Sequence, residues 1–174
     1  MADLHPSIPT LAQALDACAP LALVNIEIKN WPDDRDFDPT EALAEQVVAL
    51  LDERGERASG RYLISCFHLP TIDRVRALAP ELATAWLLGI VEDPARLIDK
   101  AVERGHGAVH PHHIFVDERF MKAAKAAGAK VNTWTCNDKD RIKELEKLGV
   151  DGVVTDVPDV ARAALAGEGE GPAA

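Results

Sequence analysis

Short apolar runs and amphipathic stretches alternate along this chain from Leu11 to Leu165. Six runs read as strands: Leu21–Ile28, Arg61–Phe67, Thr84–Ile90, Ala108–His110, Lys130–Thr135 and Gly152–Thr155. Each is brief and nearly continuous in apolarity, the pattern of parallel strands covered on both faces. Between them, apolar residues recur at helical spacing. Leu43, Val47, Leu50 and Leu51 form one such face behind Asp38-Pro39, and Ile72, Val75 and Leu78 form a second that stops before Pro80. A third helix runs from about Pro94 to Arg104 with Gly105 as its stop. Phe120, Met121, Ala124 and Ala127 mark a fourth ending at Gly128, and Ile142, Leu145 and Leu148 a fifth ending at Gly149. Weaker helices are predicted over Leu11–Ala17 and Asp159–Leu165.

Strands and helices in strict alternation predict a parallel sheet with right-handed crossovers. Two architectures satisfy this, a (β/α) barrel and an open doubly wound sheet. About six strands fall short of a closed eight-stranded barrel. No glycine-rich turn follows a strand, so the dinucleotide-binding version of the open sheet lacks its fingerprint. Length alone favours the open sheet.

The 174 residues suit one domain, predicted over 1–166, with a Gly-, Glu-, Pro- and Ala-rich tail over 167–174 expected to be disordered. The formal net charge of −10, from 29 acidic and 19 basic residues, disfavours nucleic acid and anionic membrane surfaces as partners. Cys18, Cys66 and Cys136 are scattered and odd in number, which argues for a reducing compartment. With no signal-peptide pattern in Met1–Pro6 and no apolar run of about 20 residues, a cytoplasmic location without membrane insertion is expected.

Candidate chemistry gathers at strand ends. In Asn25-Ile26-Glu27-Ile28-Lys29-Asn30, strand geometry puts Asn25, Glu27 and Lys29 on one face and Ile26 and Ile28 on the other. A carboxylate and an ammonium at the end of an apolar strand need partners. They face an active site if the fold is a barrel, or else form an ion pair with no chemistry. Asn132, Trp134 and Asn137 lie at another strand end, where Trp134 either walls a pocket or fills core. Asp156 reads as a helix cap. His110, His112 and His113 invite a metal reading against a loop of solvated or capping imidazoles. Adjacent histidines rarely aim at one ion. Cys66 and Cys136 read as buried fillers.

Taken in order, several segments resemble the glycerophosphodiester phosphodiesterase family. Ile8-Pro9-Thr10-Leu11 followed by Asn25-Ile26-Glu27-Ile28-Lys29 is similar to its mid-chain signature. Ser65-Cys66-Phe67 resembles its Ser-Ser-Phe strand end, with Cys66 at the second serine. His110-Pro111, Trp134-Thr135-Cys136-Asn137, and Gly149-Val150-Asp151-Gly152 through Thr155-Asp156-Val157-Pro158 resemble its last strands. The resemblance implies an incomplete TIM-type (β/α) barrel of about six parallel strands, which reverses the preference from length. It implies a hydrolase of lipid metabolism that cleaves glycerophosphodiesters, with a divalent metal, Mg or Ca. By the same likeness Glu27 is a metal ligand, Lys29 a phosphate contact, and Phe67 and Trp134 substrate-binding walls.

The family's first three strands carry His-Arg-Gly, Glu-x-Asp and His-Asp, and this sequence contains none of them. No catalytic residue is therefore assigned. The expectation is an N-terminally truncated phosphodiesterase, inactive by itself, that self-associates or is completed by an N-terminal chain. The alternative is a non-catalytic polyol-phosphate binding or assembly module.

Overall fold

The computed structural model describes residues 8–19 and 23–166. Leu21, at the start of the first predicted strand, and His5 and the 167–174 tail lie outside these. Six strands, β1 (Val24–Glu27), β2 (Tyr62–Cys66), β3 (Ala83–Leu88), β4 (Ala108–Pro111), β5 (Lys130–Thr133) and β6 (Gly152–Val153), pair in parallel in sequence order. They curl as a half-barrel. Around the outside run α1 (Leu11–Ala17), α2 (Ala42–Glu53), α3 (Leu69–Leu78), α4 (Pro94–Glu103), α5 (Glu118–Ala127), α6 (Lys139–Leu148) and α7 (Pro158–Leu165). A 3-10 turn over His113–Phe115, not expected from the sequence, follows β4. Sequential parallel order is what right-handed βα units give when each lies beside its predecessor.

The apolar face of each strand points outward onto helices. Ile26 and Ile28 of the first strand segment and Ile64 and Cys66 of β2 pack with Val47, Val48 and Leu51 of α2 and Ile72 and Val75 of α3. Leu43 is a correction. It is 38% exposed, and Ala44 takes the inward place, because the helical stripe runs through Ala44, Val47, Val48 and Leu51. A second cluster joins Leu88, Ile98, Val109, Phe120 and Val131, and a third Val116, Cys136, Ile142, Leu145 and Ala161. Truncating a fully buried member such as Ile64 or Ile142 to Ala would cost about 2–5 kcal/mol.

Helix ends follow the sequence signals. Asp93, Asp117 and Asp138 accept from first-turn amides, and Gly128 and Gly149 end their helices at φ 72° and 83°. Asp156 does not cap α7; its carboxylate accepts instead from Asn137 Nδ2 at 2.9 Å. The entry to α2 is less ordinary. Glu41 sits at φ 60°, a left-handed conformation costly for a residue with a Cβ. It is held by its own buried carboxylate, which accepts from Asn30 Nδ2 at 3.0 Å and lies 3.1 Å from His68 Nδ1. Asp38 fixes the same turn by accepting from the amides of Thr40 and Ala42 at 2.8 and 2.7 Å.

Candidate active site at the C-terminal strand ends

Exposure alternates along the first strand: Asn25, Glu27 and Lys29 are exposed, and Ile26, Ile28 and Asn30 are buried. Register then carries one face around the sheet. Glu27 pairs with Ser65, Ser65 with Ala85, Leu87 with His110, and Asn132 with Gly152. These positions share the concave side. Phe67 and Trp134 follow directly on β2 and β5, so Glu27, Phe67, His110 and Trp134 all stand at C-terminal strand ends, as the barrel reading expects.

The predicted site residues form two contacting pairs joined by a shared cavity. Lys29 Nζ donates to Glu27 Oε1. Lys29 and Phe67 line one cavity. The Phe67 ring meets Trp134 edge-on at 5.5 Å, and Trp134 Nε1 donates to the carbonyl of His110 at 2.6 Å. Trp134 is thus fixed at the rim of the concave face with its ring half-buried, which supports wall over core.

Three neighbours join these contacts, of which Trp31 was not singled out from sequence. Trp31 stands edge-on to Phe67 at 6.2 Å; its place just beyond Lys29-Asn30 was the available signal. His110 is 2% exposed, and its Nε2 lies 2.9 Å from Asn132 Nδ2. An amide N–H there donates to Nε2, which leaves the ring proton on Nδ1. Burial pushes its pKa down to about 4, so the ring is neutral at pH 7. Ser65 Oγ, beside Glu27 in register, is buried without a hydrogen-bond partner among the described residues. No sequence signal distinguishes such a hydroxyl from a satisfied one.

Asn137 binds protein rather than open space. Its Oδ1 accepts from Thr155 Oγ1 at 2.9 Å and from the Asp156 amide at 2.8 Å, tying two strand-end loops together. His112 and His113 stack at 4.7 Å, and His112 meets Trp134 edge-on at 5.0 Å. Cys66 and Cys136 are buried, and burial raises both thiol pKa values, consistent with filler roles.

A divalent cation such as Mg²⁺ or Ca²⁺ takes several oxygen ligands. Among the described residues no three His, Cys, Asp or Glu side chains are grouped to hold one, and Lys29 already occupies one oxygen of Glu27. The residues present do not complete a cation site.

The chain matches the Glycerophosphoryl diester phosphodiesterase family over residues 1–160. It is 28% identical over 159 residues to a glycerophosphodiester phosphodiesterase of Caldanaerobacter subterraneus subsp. tengcongensis, covering 87% of this chain and 59% of that protein. One from Arabidopsis thaliana is 27% identical, with 88% of this chain and 45% of the relative aligned. The chain therefore spans about half the length of the curated relatives it matches. Among solved structures, a Silicibacter pomeroyi DSS-3 protein described as a glycerophosphoryl diester phosphodiesterase superposes at TM-score 0.76 with 29% identity, over 91% of this chain and 56% of that one. An Oleispira antarctica phosphodiesterase, solved with its product sn-glycerol-3-phosphate, gives the same TM-score at 23% identity, over 91% and 61%.

Proposed function

Because this chain belongs to the glycerophosphoryl diester phosphodiesterase family, we propose that it forms the phosphate- and glycerol-facing wall of a barrel that hydrolyses glycerophosphodiesters, and that it does not turn over substrate alone. The observation that carries the reading is that the Glu27–Lys29 pair shares a cavity with Phe67, which meets Trp134 edge-on, all at C-terminal strand ends. An exposed ammonium sharing a cavity with Phe67, itself edge-on to Trp134, suits a small polyol phosphate. Lys29 donates to phosphate oxygens as a charge-assisted contact. Phe67 and Trp134 cover the C–H faces of the glycerol and exclude water. Glu27 is assigned as one carboxylate ligand of a divalent metal, Mg or Ca, whose other ligands the described residues do not supply.

The state of His110 supports inactivity of the chain alone. Hydrolysis needs a proton for the departing alkoxide. His110, on the concave strand face, is buried and neutral with a pKa of about 4, and His112 bridges to Trp134 on the same face. A neutral, enclosed imidazole does not protonate a leaving group at pH 7. The same observation favours a second reading, in which the chain is a polyol-phosphate binding or assembly module completed by a partner chain or a second copy. The three scattered free thiols support a cytoplasmic setting for either.

Two measurements test this. Calorimetric titration with sn-glycerol-3-phosphate should show binding that Lys29→Met weakens about ten-fold. Purified chain with Mg²⁺ or Ca²⁺ should release no choline from glycerophosphocholine. Binding indifferent to both Lys29→Met and Trp134→Ala overturns the wall assignment. Metal-dependent turnover abolished by Glu27→Ala overturns the inactivity.

A further inference from the structure

A cavity of about 660 Å³ opens beside Lys29, between the loop that leaves β1 and the loop that leaves β3. Its walls include Trp31, Phe67, Trp86, Leu88, Ile90 and Leu97, and only Lys29 and Asp34 among its lining side chains are charged. Trp134, which meets Phe67 edge-on, is not among the residues that line this cavity. This space is larger and more apolar than a glycerol or a phosphate requires. Its frame is built rather than incidental. Trp86 Nε1 donates to the Phe67 carbonyl at 2.9 Å, and Trp31 braces the Phe67 ring edge-on.

Two large side chains at its wall stand in water. Ile90 is 75% exposed and Trp31 44%, although both face a cavity lined by hydrocarbon. Exposed apolar groups gathered at one apolar opening mark a binding surface more often than a chance distribution. Next to them the Lys29 ammonium gives one of its three donors to Glu27 and keeps two, with its side chain 74% exposed. Asp34 on the same wall disfavours a second anion.

We infer that this cavity takes the aliphatic chain of a single-chain phosphate amphiphile, a monoalkyl phosphate or a phosphodiester with one long alkyl or acyl substituent, whose phosphate sits on Lys29. The inference rests on the proposed role of Lys29 and adds the class of group attached to the phosphate. The volume lies inside the roughly 300–1,000 Å³ range of pockets that enclose most of a ligand. Each methylene that moves from water onto these walls tightens binding about four-fold.

The test is calorimetric titration of the full chain with inorganic phosphate and with ethyl, butyl and octyl phosphate below their micelle concentrations, and with phosphocholine for comparison. Octyl phosphate should bind about a hundred-fold or more tighter than ethyl phosphate, at one per chain. Ile90→Asp, at an exposed position that tolerates a charge, should collapse the octyl-to-ethyl ratio, and Lys29→Met should weaken every member by the same factor. A series flat in chain length but sensitive to Lys29→Met overturns the chain site and leaves the phosphate reading standing. Chain-length dependence indifferent to Lys29→Met overturns both. Phosphocholine binding tighter than octyl phosphate would make the cavity a cation cage and overturn the inference, and absence of binding throughout the series overturns it as well.

Discussion

At His110 an imidazole that a sequence reader would offer as a metal ligand or proton donor is instead a buried, neutral acceptor. Its Nε2 faces Asn132 Nδ2 at 2.9 Å, and burial takes its pKa from 6.5 to about 4. Between those two values the unfolded chain binds a proton that the folded chain refuses. Stability therefore rises with pH across that window and is lost as pH falls through it, by on the order of 3 kcal/mol at the acid end. An NMR titration of the His110 ring should show no inflection above pH 5, and the unfolding midpoint should fall as pH drops from 6.5 towards 4. An inflection near the ordinary histidine value would place the ring in solvent and remove the argument that it stays neutral. Glu27 and Lys29 were named from sequence by strand alternation and family motifs together, Trp134 by its place at a strand end and the motifs, and Phe67 by the motifs alone. The orientation of His110 could not be read there, since it depends on register with β3 and β5.

Elements declared themselves where a local signal exists. Gly128 and Gly149 end their helices as expected, and Asp93, Asp117 and Asp138, caps of the kind one turn of chain signals, begin theirs. Strand ends did not declare themselves. The predicted runs to Ile90, Thr135 and Thr155 stop short at Leu88, Thr133 and Val153, because pairing with a neighbour, not apolarity, ends a parallel strand. Gly152 shows what register adds. It lies opposite Asn132, and a Cβ there would come within 2.6 Å of Asn132 Oδ1. A side chain at this position must push the amide away from His110. Gly152→Ala should destabilise the protein by about 1–3 kcal/mol in denaturant unfolding. The cost should shrink in an Asn132→Ala background, which removes the amide and leaves only a Cβ at an ordinary 3.6 Å. Strictly additive losses would show that the close approach does not limit this position.

For the whole molecule, the decisive quantity is how many strand edges are left open. The sheet runs from β1 to β6, and among the described residues neither terminal strand has a second neighbour. Length argued for an open sheet, and only motifs at strand ends pointed to the barrel. The curl of the half-barrel could be inferred from family likeness and not from hydrophobic pattern, because both architectures bury their strands on both faces.

Those two edges differ in hazard. β6 is two residues long, and so short an edge offers little template. β1 is longer, and the amides of Val24 and Ile28 donate to Arg61 and Ser65 of the β2 segment at 2.9 and 2.8 Å. By the alternation of a parallel ladder, the amides of Asn25 and Glu27 then face the open side. The side chains of Glu27 and Lys29 put charge near this edge, which discourages indiscriminate pairing. Leu23, 75% exposed just before the strand, works in the opposite direction. A charged edge beside an apolar approach favours a specific partner over open-ended stacking, so the chain should self-associate into a defined species or be marginally stable as a monomer. Size-exclusion chromatography with light scattering measures the first, and thermal unfolding the second. Hydrogen exchange locates the cause: Asn25 and Glu27 should exchange fast in any monomer and slow on association, while Ile26 stays protected in both. A monodisperse, thermally robust monomer with Asn25 and Glu27 slow to exchange would show that the edge is already closed, and the expectation of association would fall with it.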